Sequence, residues 1–323
     1  MLIIVTESSI NVQGIVGEMA TVYDVIIIGT GCSGYAAGMY AGRFGMKTLV
    51  IGDDPGGLIT WTDTVENYPG FKKLTGTELA NKLKEHAQEY PIEIIADYVE
   101  KVSKKKTFTV TTRSKKKFEG KTVILATGTK VRELDAPGAQ EFKNKGVHHC
   151  ALCDGYAFKD KVVALVGGSD SAVKDALVLS ELAKKVFIIY RGEQIHPEPI
   201  NLLRIKKRKN VEIINNTNVT HIKGEKTVTH ILLDKPYKGK NQLDVAGVFV
   251  AIGHISLSSL AKDLGVKLNK KGEVIINRHG ETNVEGFYAA GDVTDTEFKQ
   301  AITGVAEAVT ACYYAFNYIG EKY

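Results

Sequence analysis

Apolar runs that stop at glycine recur along this chain, and several are followed by a helical repeat. Tyr23–Ile28 is such a run and predicts a strand buried in a parallel sheet. The turn Gly29-Thr30-Gly31-Cys32-Ser33-Gly34 comes next. An Ala- and Gly-rich helix over Tyr35–Phe44 and a strand over Lys47–Ile51 follow, with Asp53 and Asp54 behind them. Strand, GxGxxG, helix, strand and acid in this order predict a dinucleotide-binding βαβ unit. Its glycines let the backbone approach a pyrophosphate at a helix N-terminus. Thr77–Tyr90 puts Leu79, Leu83, His86 and Tyr90 on one helical stripe, which makes His86 a structural residue. Alternation over Thr107–Thr112 predicts a strand paired with one near Phe118 across the basic turn Arg113–Lys117. Val123–Leu125 is another buried strand, closed by Thr127 and Gly128.

The pattern then repeats. Lys161–Val166 is a strand, Gly167-Gly168-Ser169-Asp170-Ser171-Ala172 a turn, the stretch to about Ala183 a helix, and Val186–Tyr190 a strand. Gly167 lies 138 residues after Gly29, too far for the two halves of one nucleotide unit, so two separate dinucleotide domains are expected. Strands near Val228–Leu233 and over Leu243–Ala251 follow, and Phe287–Ala290 runs into Gly291 and Asp292. The last helix carries Ile302, Val305, Val309, Cys312 and Phe316 on a core stripe, so Cys312 reads as a small buried hydrophobe.

Composition narrows the classes. The chain has 323 residues, 44% hydrophobic and 24% charged, enough for two globular domains. No apolar run reaches membrane-spanning length. Met1–Thr21 has no basic start and is interrupted by Glu7 and Glu18, so it reads as an extension rather than a secretory signal. Four cysteines do not make a disulfide scaffold, and the expected compartment is a reducing cytoplasm. The net charge of +5 sits largely in lysine clusters at Lys104–Lys106, Lys115–Lys117 and Lys206–Lys209. No aromatics interleave them, which argues for solvated faces or a dock for an acidic protein and against nucleic acid.

The chemistry gathers at Cys150-Ala-Leu-Cys153-Asp154-Gly155, between the two glycine turns. Two cysteines at this spacing close a small disulfide ring, and Asp154 can give or take a proton, which suits two-electron, two-proton transfer. Metal binding is the weaker reading. No second CxxC completes a four-ligand site, and adjacent His148 and His149 do not both reach one ion easily. A cationic His149 would favour a thiolate at Cys150, whereas a neutral one would be a plain substitution. Cys32 in the first turn is read as packing rather than redox.

Taken together, these motifs resemble the low-molecular-weight thioredoxin reductases over Tyr23–Tyr318. The resemblance rests on Gly29–Gly34, Gly56-Gly57, Val65–Gly70, Ala126–Gly128, the CxxCDG, the second glycine turn, Ala290–Asp292 and Gln300-Ala301. It implies an α/β fold of two Rossmann-like domains, the second inserted into the first. Residues 23–131 and 255–323 would bind FAD, residues 132–254 would be the pyridine-nucleotide-type domain, and residues 1–22 an extension. FAD would meet Gly29, Gly31, Cys32, Ser33, Gly34, Asp53, Gly57, Asn67, Thr127, Gly128, Gly291, Asp292, Gln300 and Ala301. The nicotinamide dinucleotide would meet Gly167, Ser169, Asp170, Ser171 and Arg191. Cys153 would be the flavin-side sulfur, Cys150 the attacker of a partner disulfide and Asp154 the acid–base group. Hinges would fall near Val131–Gly138 and Gly253–Ser259. The implied partners are thioredoxin or a glutaredoxin-like protein and a second copy of the chain, with no nucleic acid and no membrane.

Departures cluster at the second turn. Ser169 replaces a glycine, and Tyr190-Arg191-Gly192 replaces His-Arg-Arg, with His196 as the later basic position. One lost guanidinium weakens a 2′-phosphate clamp by about 2 kcal/mol. NADPH, NADH and a donor such as reduced ferredoxin or deazaflavin all stay open. Leu58 stands where the family shows glutamine, and His149 where it often shows tyrosine. The alternatives to a thioredoxin reductase are a reductase for another protein, such as a peroxiredoxin component, and a flavin-dependent redox sensor.

Overall fold

The apolar runs assemble into two largely separate sheets. The computed structural model describes residues 21–323, so the expected extension falls outside it except for its last two positions. Val22 already belongs to the first strand.

The first sheet reads Glu93–Ile95, Thr48–Ile51, Val22–Ile28 and Lys117–Leu125, all parallel, then Phe108–Thr112 and Val99–Lys104, antiparallel. Phe287–Ala289 joins the second half of Lys117–Leu125 in parallel. Alternation sends Val25 and Ile27 to one face and Ile26 and Ile28 to the other. Helices Cys32–Arg43 and Ala301–Lys322 cover the first face. They meet closely because the facing positions are small: Ala36, Ala37 and Ala41 against Ala308, Ala311, Cys312 and Ala315. Cys312 is thus a core residue, and burial pushes its thiol up to about 12.

The second sheet reads Val211–Ile214, Lys185–Ile189, Val162–Val166, Gly247–Val250 and Val147–His148, all parallel. Helix Asp170–Leu182 covers one face, and a ribbon of Val219–Gly224, Val228–Tyr237 and Lys240–Asp244 covers the other. The chain passes between the sheets twice. The two passages, Thr129–Val131 and His254–Ser256, pair antiparallel. The fold class expected from the sequence, two Rossmann-like units with the second inserted into the first, is the one observed.

Several expectations change. The first helix starts at Cys32 rather than Tyr35, because the glycine turn is itself its first turn. The strand near Phe118 and Val123–Leu125 are one strand. The run Leu243–Ala251 is two strands in two sheets, divided at Val245-Ala246. Gly247 marks the entry to the central sheet, where a Cβ would fall 2.3 Å from the Phe158 ring. His86 is exposed, since the buried face of helix Gly76–Gln88 is Gly76, Leu79, Ala80 and Ala87. A reciprocal cap between Thr75 and Glu78 starts that helix. No described helix is long and apolar enough to cross a membrane.

Phe108 is buried against Phe287 at 6.0 Å between ring centres. Phe108→Ala is expected to cost about 3–5 kcal/mol of unfolding free energy in urea titration, while Leu203→Ala, at a 62% exposed site, changes it by less than about 0.5 kcal/mol. Equal effects would contradict the core assignment.

Candidate active site

Backbone lies on backbone at the first glycine turn. A Cβ on Gly34 would sit 1.9 Å from the Gly29 oxygen, and one on Gly29 would sit 2.2 Å from the Ala126 oxygen. Gly29 also holds φ +126°. Gly31 and Gly128 differ. The nearest atom to a Cβ at Gly31 is 3.8 Å away, and at Gly128 nothing lies within 4 Å. The free space in front of them belongs to a cavity of about 430 Å³. No side chain caps the helix at Gly31, so its first N–H groups are available to an anion. The cradle therefore fits a dinucleotide pyrophosphate.

Distant segments converge around that cavity. Cys32, Ser33, Asp53, Gly57, Thr127, Asp292, Gln300 and Ala301 line it. Asn67 Nδ2 donates to Gln300 Oε1 at 3.0 Å. Ser33 Oγ fills the space under Gly291, where a Cβ would come within 2.5 Å. Burial raises the Asp292 carboxyl, against the pull of Lys299 and His254. Burial, and then Asp53, raise Asp54. Burial pushes the Cys32 thiol up to about 12, so it is protonated and unreactive at neutral pH.

Cys150 forms another part of the cavity wall. Cys150 and Cys153 are disulfide-bonded, with Cα atoms 5.3 Å apart. Cys150 precedes the helical turn Ala151–Asp154, and its Sγ accepts from Cys153 N at 3.0 Å. Cys150 is buried and lines the cavity, whereas Cys153 is exposed. His149 is fixed between Glu133 Oε2 at 2.8 Å and the Val250 oxygen at 3.3 Å. Both partners only accept, so both bonds form when each ring nitrogen carries a proton. His148 Nδ1 lies 3.0 Å from Asp154 Oδ2.

At the second turn Gly167 holds φ +149°, and a Cβ there would lie 2.2 Å from the Ala251 oxygen. Ser169 caps its helix, accepting from Ala172 N at 3.4 Å. Ser171 reaches the cavity. The Asp170 carboxylate accepts from Glu198 N at 2.8 Å and Asn201 Nδ2 at 2.9 Å, and pairs with Lys174. Burial raises it, but these bonds outweigh burial and hold it below the usual carboxylate range. Asp170 thus ties helix Pro199–Lys206 to the turn. Arg191 is exposed. The Tyr190 ring covers Gly168 and Gly192, where Cβ atoms would fall 2.5 and 2.6 Å from it.

Sequence reasoning missed Asp175, His254 and Lys299, which also line the cavity. Nothing in the sequence marks them. Lys174-Asp175 reads as a solvated pair on a helix, yet burial pushes Asp175 up to about 7.

Fold and site define a nucleotide-dependent oxidoreductase that works through a dithiol. The family model for pyridine nucleotide-disulphide oxidoreductases matches residues 23–308, and the chain belongs to that family. It is 36% identical to a thioredoxin reductase of Mycolicibacterium smegmatis, covering 94% of this chain and 98% of that protein. Among solved structures it superimposes on Lactococcus lactis thioredoxin reductase in the FR conformation with a TM-score of 0.89, at 32% identity over 93% of this chain and 99% of that one. Against Thermoplasma acidophilum thioredoxin reductase the TM-score is 0.87, at 35% identity over 92% and 98%. The chain is an FAD-dependent oxidoreductase of the NAD(P)H-linked type.

Asp175 sets a pH dependence. Its proton leaves near 3.8 in the unfolded chain and near 7 in the fold. Its contribution to stability is therefore complete below pH 4 and lost as pH rises through 7. Asp175→Asn is expected to stabilise the protein at pH 8 by about 2 kcal/mol, tempered by partial exposure, and to change little at pH 4. Melting curves at the two pH values check this, and an equal shift at both would refute it.

Proposed function

We propose that the protein is a thioredoxin-disulfide reductase. One observation carries the reading: Cys150, disulfide-bonded to Cys153, lines the same cavity as the glycine cradle. Two thioredoxin reductase structures of matching shape and full-length relatives of that name support it.

On this reading residues 23–131 and 255–323 form the FAD domain and residues 132–254 the nicotinamide domain. Bound FAD supplies the two-electron relay between the nicotinamide and the disulfide. Gly31, Ser33 and Gly34 would present N–H groups to its pyrophosphate, Gly29, whose own N–H donates to the Ile51 oxygen at 2.7 Å, would close the turn, and Cys32 would pack beneath. Asp53 would face the ribose. Asp292 would take a ribityl hydroxyl, and Gln300, Ala301, Asn67, Gly57, Thr127, Gly128 and Gly291 would shape the flavin end. Gly167, Ser169, Ser171 and Arg191 meet the nicotinamide dinucleotide, with Asp170 holding the turn. Ser169 and Gly192 leave the choice between NADPH and NADH to measurement.

On the same reading the dithiol works in two exchanges, with Cys150 as the attacking sulfur. Opening the disulfide consumes two electrons and two protons and gives two thiols. The Cys150 thiolate then attacks the partner's disulfide, releasing one partner thiolate that Asp154 protonates. Cys153 attacks the mixed disulfide, restoring the ring and freeing the partner dithiol. A protonated His149 lowers the cost of the Cys150 thiolate. Cys150 is buried here, so its attack requires the middle domain to turn about the paired passages Thr129–Val131 and His254–Ser256. Thioredoxin or a glutaredoxin-like protein is the substrate, in a reducing compartment. A second copy is the expected partner, and exposed Tyr313 and Phe316, the latter stacked on Phe44 at 5.0 Å, offer it an apolar face.

Cys150→Ser is expected to lower thioredoxin-disulfide turnover at least a thousandfold while flavin absorbance persists. Retained turnover would sink the assignment. Anaerobic mixing with NADPH and then NADH reads the donor: bleaching by either at micromolar concentration marks it, and bleaching by neither, with dithionite still effective, excludes a nicotinamide.

A further inference from the structure

His148 is one residue from His149 but faces a different site. Its strand, Val147–His148, pairs in register with Gly247–Val250, opposite Phe249. The ring stacks on Phe249 at 5.7 Å and meets the edge of Phe158 at 5.3 Å. Its side chain is 11% exposed, and Asp154's is 40% exposed. Nδ1 lies 3.0 Å from Asp154 Oδ2, close enough to pair but out of line for a full hydrogen bond, and it has no other partner among the described residues. A buried ring nitrogen left with one neighbour is costly unless that neighbour uses it. The aromatic sandwich fixes the ring plane, so the nitrogen cannot turn to water.

We propose that His148 is a positioning residue for Asp154, holding in one orientation the carboxyl that follows Cys153 in the chain. The proposal rests on the reading of Asp154 as the acid–base group. When two electrons from the reduced donor open the S–S bond, the departing sulfur takes the Asp154 proton and the other sulfur is left as a thiolate. The carboxylate, itself 40% exposed, takes its next proton from water. A carboxylate only accepts, so Nδ1 is the donor in this pair.

Packing and positioning predict opposite orders of variants. Phe fits the sandwich but has no donor, and Asn puts an N–H near the Nδ1 position but loses the stacking. Thioredoxin-disulfide turnover is measured in the flavin-loaded protein for His148→Phe, His148→Asn, Asp154→Asn and the double variant His148→Phe/Asp154→Asn. So is the rate at which excess dithiothreitol opens the disulfide, read by thiol alkylation. The expected result is a kcat about tenfold lower in His148→Phe with KM unchanged, largely restored in His148→Asn, with the same order in the dithiothreitol rate. In the Asp154→Asn background His148→Phe should change nothing further. Should the Phe variant fail to fold, His148→Leu takes its place. Phe as active as wild type, Asn worse than Phe, or additive losses in the double variant would overturn the proposal. Full activity in Asp154→Asn would instead overturn the acid–base reading beneath it.

Discussion

Two short passages of chain, Thr129–Val131 and His254–Ser256, are the constraint on which the arrangement depends. Each parallel sheet buries its own core, so neither needs the other for its hydrophobic energy. What relates them is this paired ribbon, reinforced by Thr127 Oγ1 donating to the Leu257 oxygen at 2.9 Å and Arg132 N to the Gly253 oxygen at 2.9 Å. Because both passages lie side by side, they restrict the middle unit to few relative motions. Outside the ribbon, one tie across the gap is Arg204 pairing with Glu66 at 2.6 Å, half-exposed on both sides. Such a pair contributes little to stability and is readily exchanged for water. Strong cores and a weakly bonded gap are what a dithiol needs if it is to face the cavity at one time and a protein at another.

Within that frame, charge is handled differently at the two ends of the site. At the cradle no side chain caps the helix, so an anion would be met by backbone dipoles, and the nearby acids are raised by burial. At the dithiol, charges are paired locally: Glu133 with Lys143 and His149, Asp154 with His148. The Lys143 and His149 bonds outweigh burial and keep Glu133 below the usual carboxylate range. A carboxylate fixed in this way holds the His149 ring in place beside Cys150 through Nε2 at 2.8 Å.

The glycine turns, the CxxCDG and the buried strands were legible because each depends on a local rule. A Gly29 or Gly34 position admits no side chain, and a six-residue apolar run has few other places to go. The failures share a cause as well. Whether Leu243–Ala251 was one strand or two depended on the Phe158 ring, contributed by a segment some 90 residues earlier. The buried state of Asp175 and the pairing of Asn67 with Gln300 depend on tertiary neighbours, for which a single sequence offers no period or motif.

The departures at the second turn gain a physical account in the same way. Read along the chain, Ser169 and Gly192 are two separate losses of nucleotide-binding chemistry. In the fold Gly192 lies against the Tyr190 ring, and Ser169 caps the helix that follows the turn. Tyr190 lies over Gly168 and beside Gly192, its centroid 5.5 Å from that of His196, whose N–H donates to the Gly168 oxygen at 2.8 Å. An arginine at 192 would need its Cβ where the Tyr190 ring stands, so the glycine there is the complement of the tyrosine. The serine hydroxyl caps the helix that a third glycine would leave bare. The turn is thus a consistent local packing solution, in which an aromatic ring and a hydroxyl occupy space that the family pattern leaves to a phosphate clamp. Its remaining positive charge, Arg191, stands exposed at the rim, where it can attract a nucleotide without enclosing its phosphate.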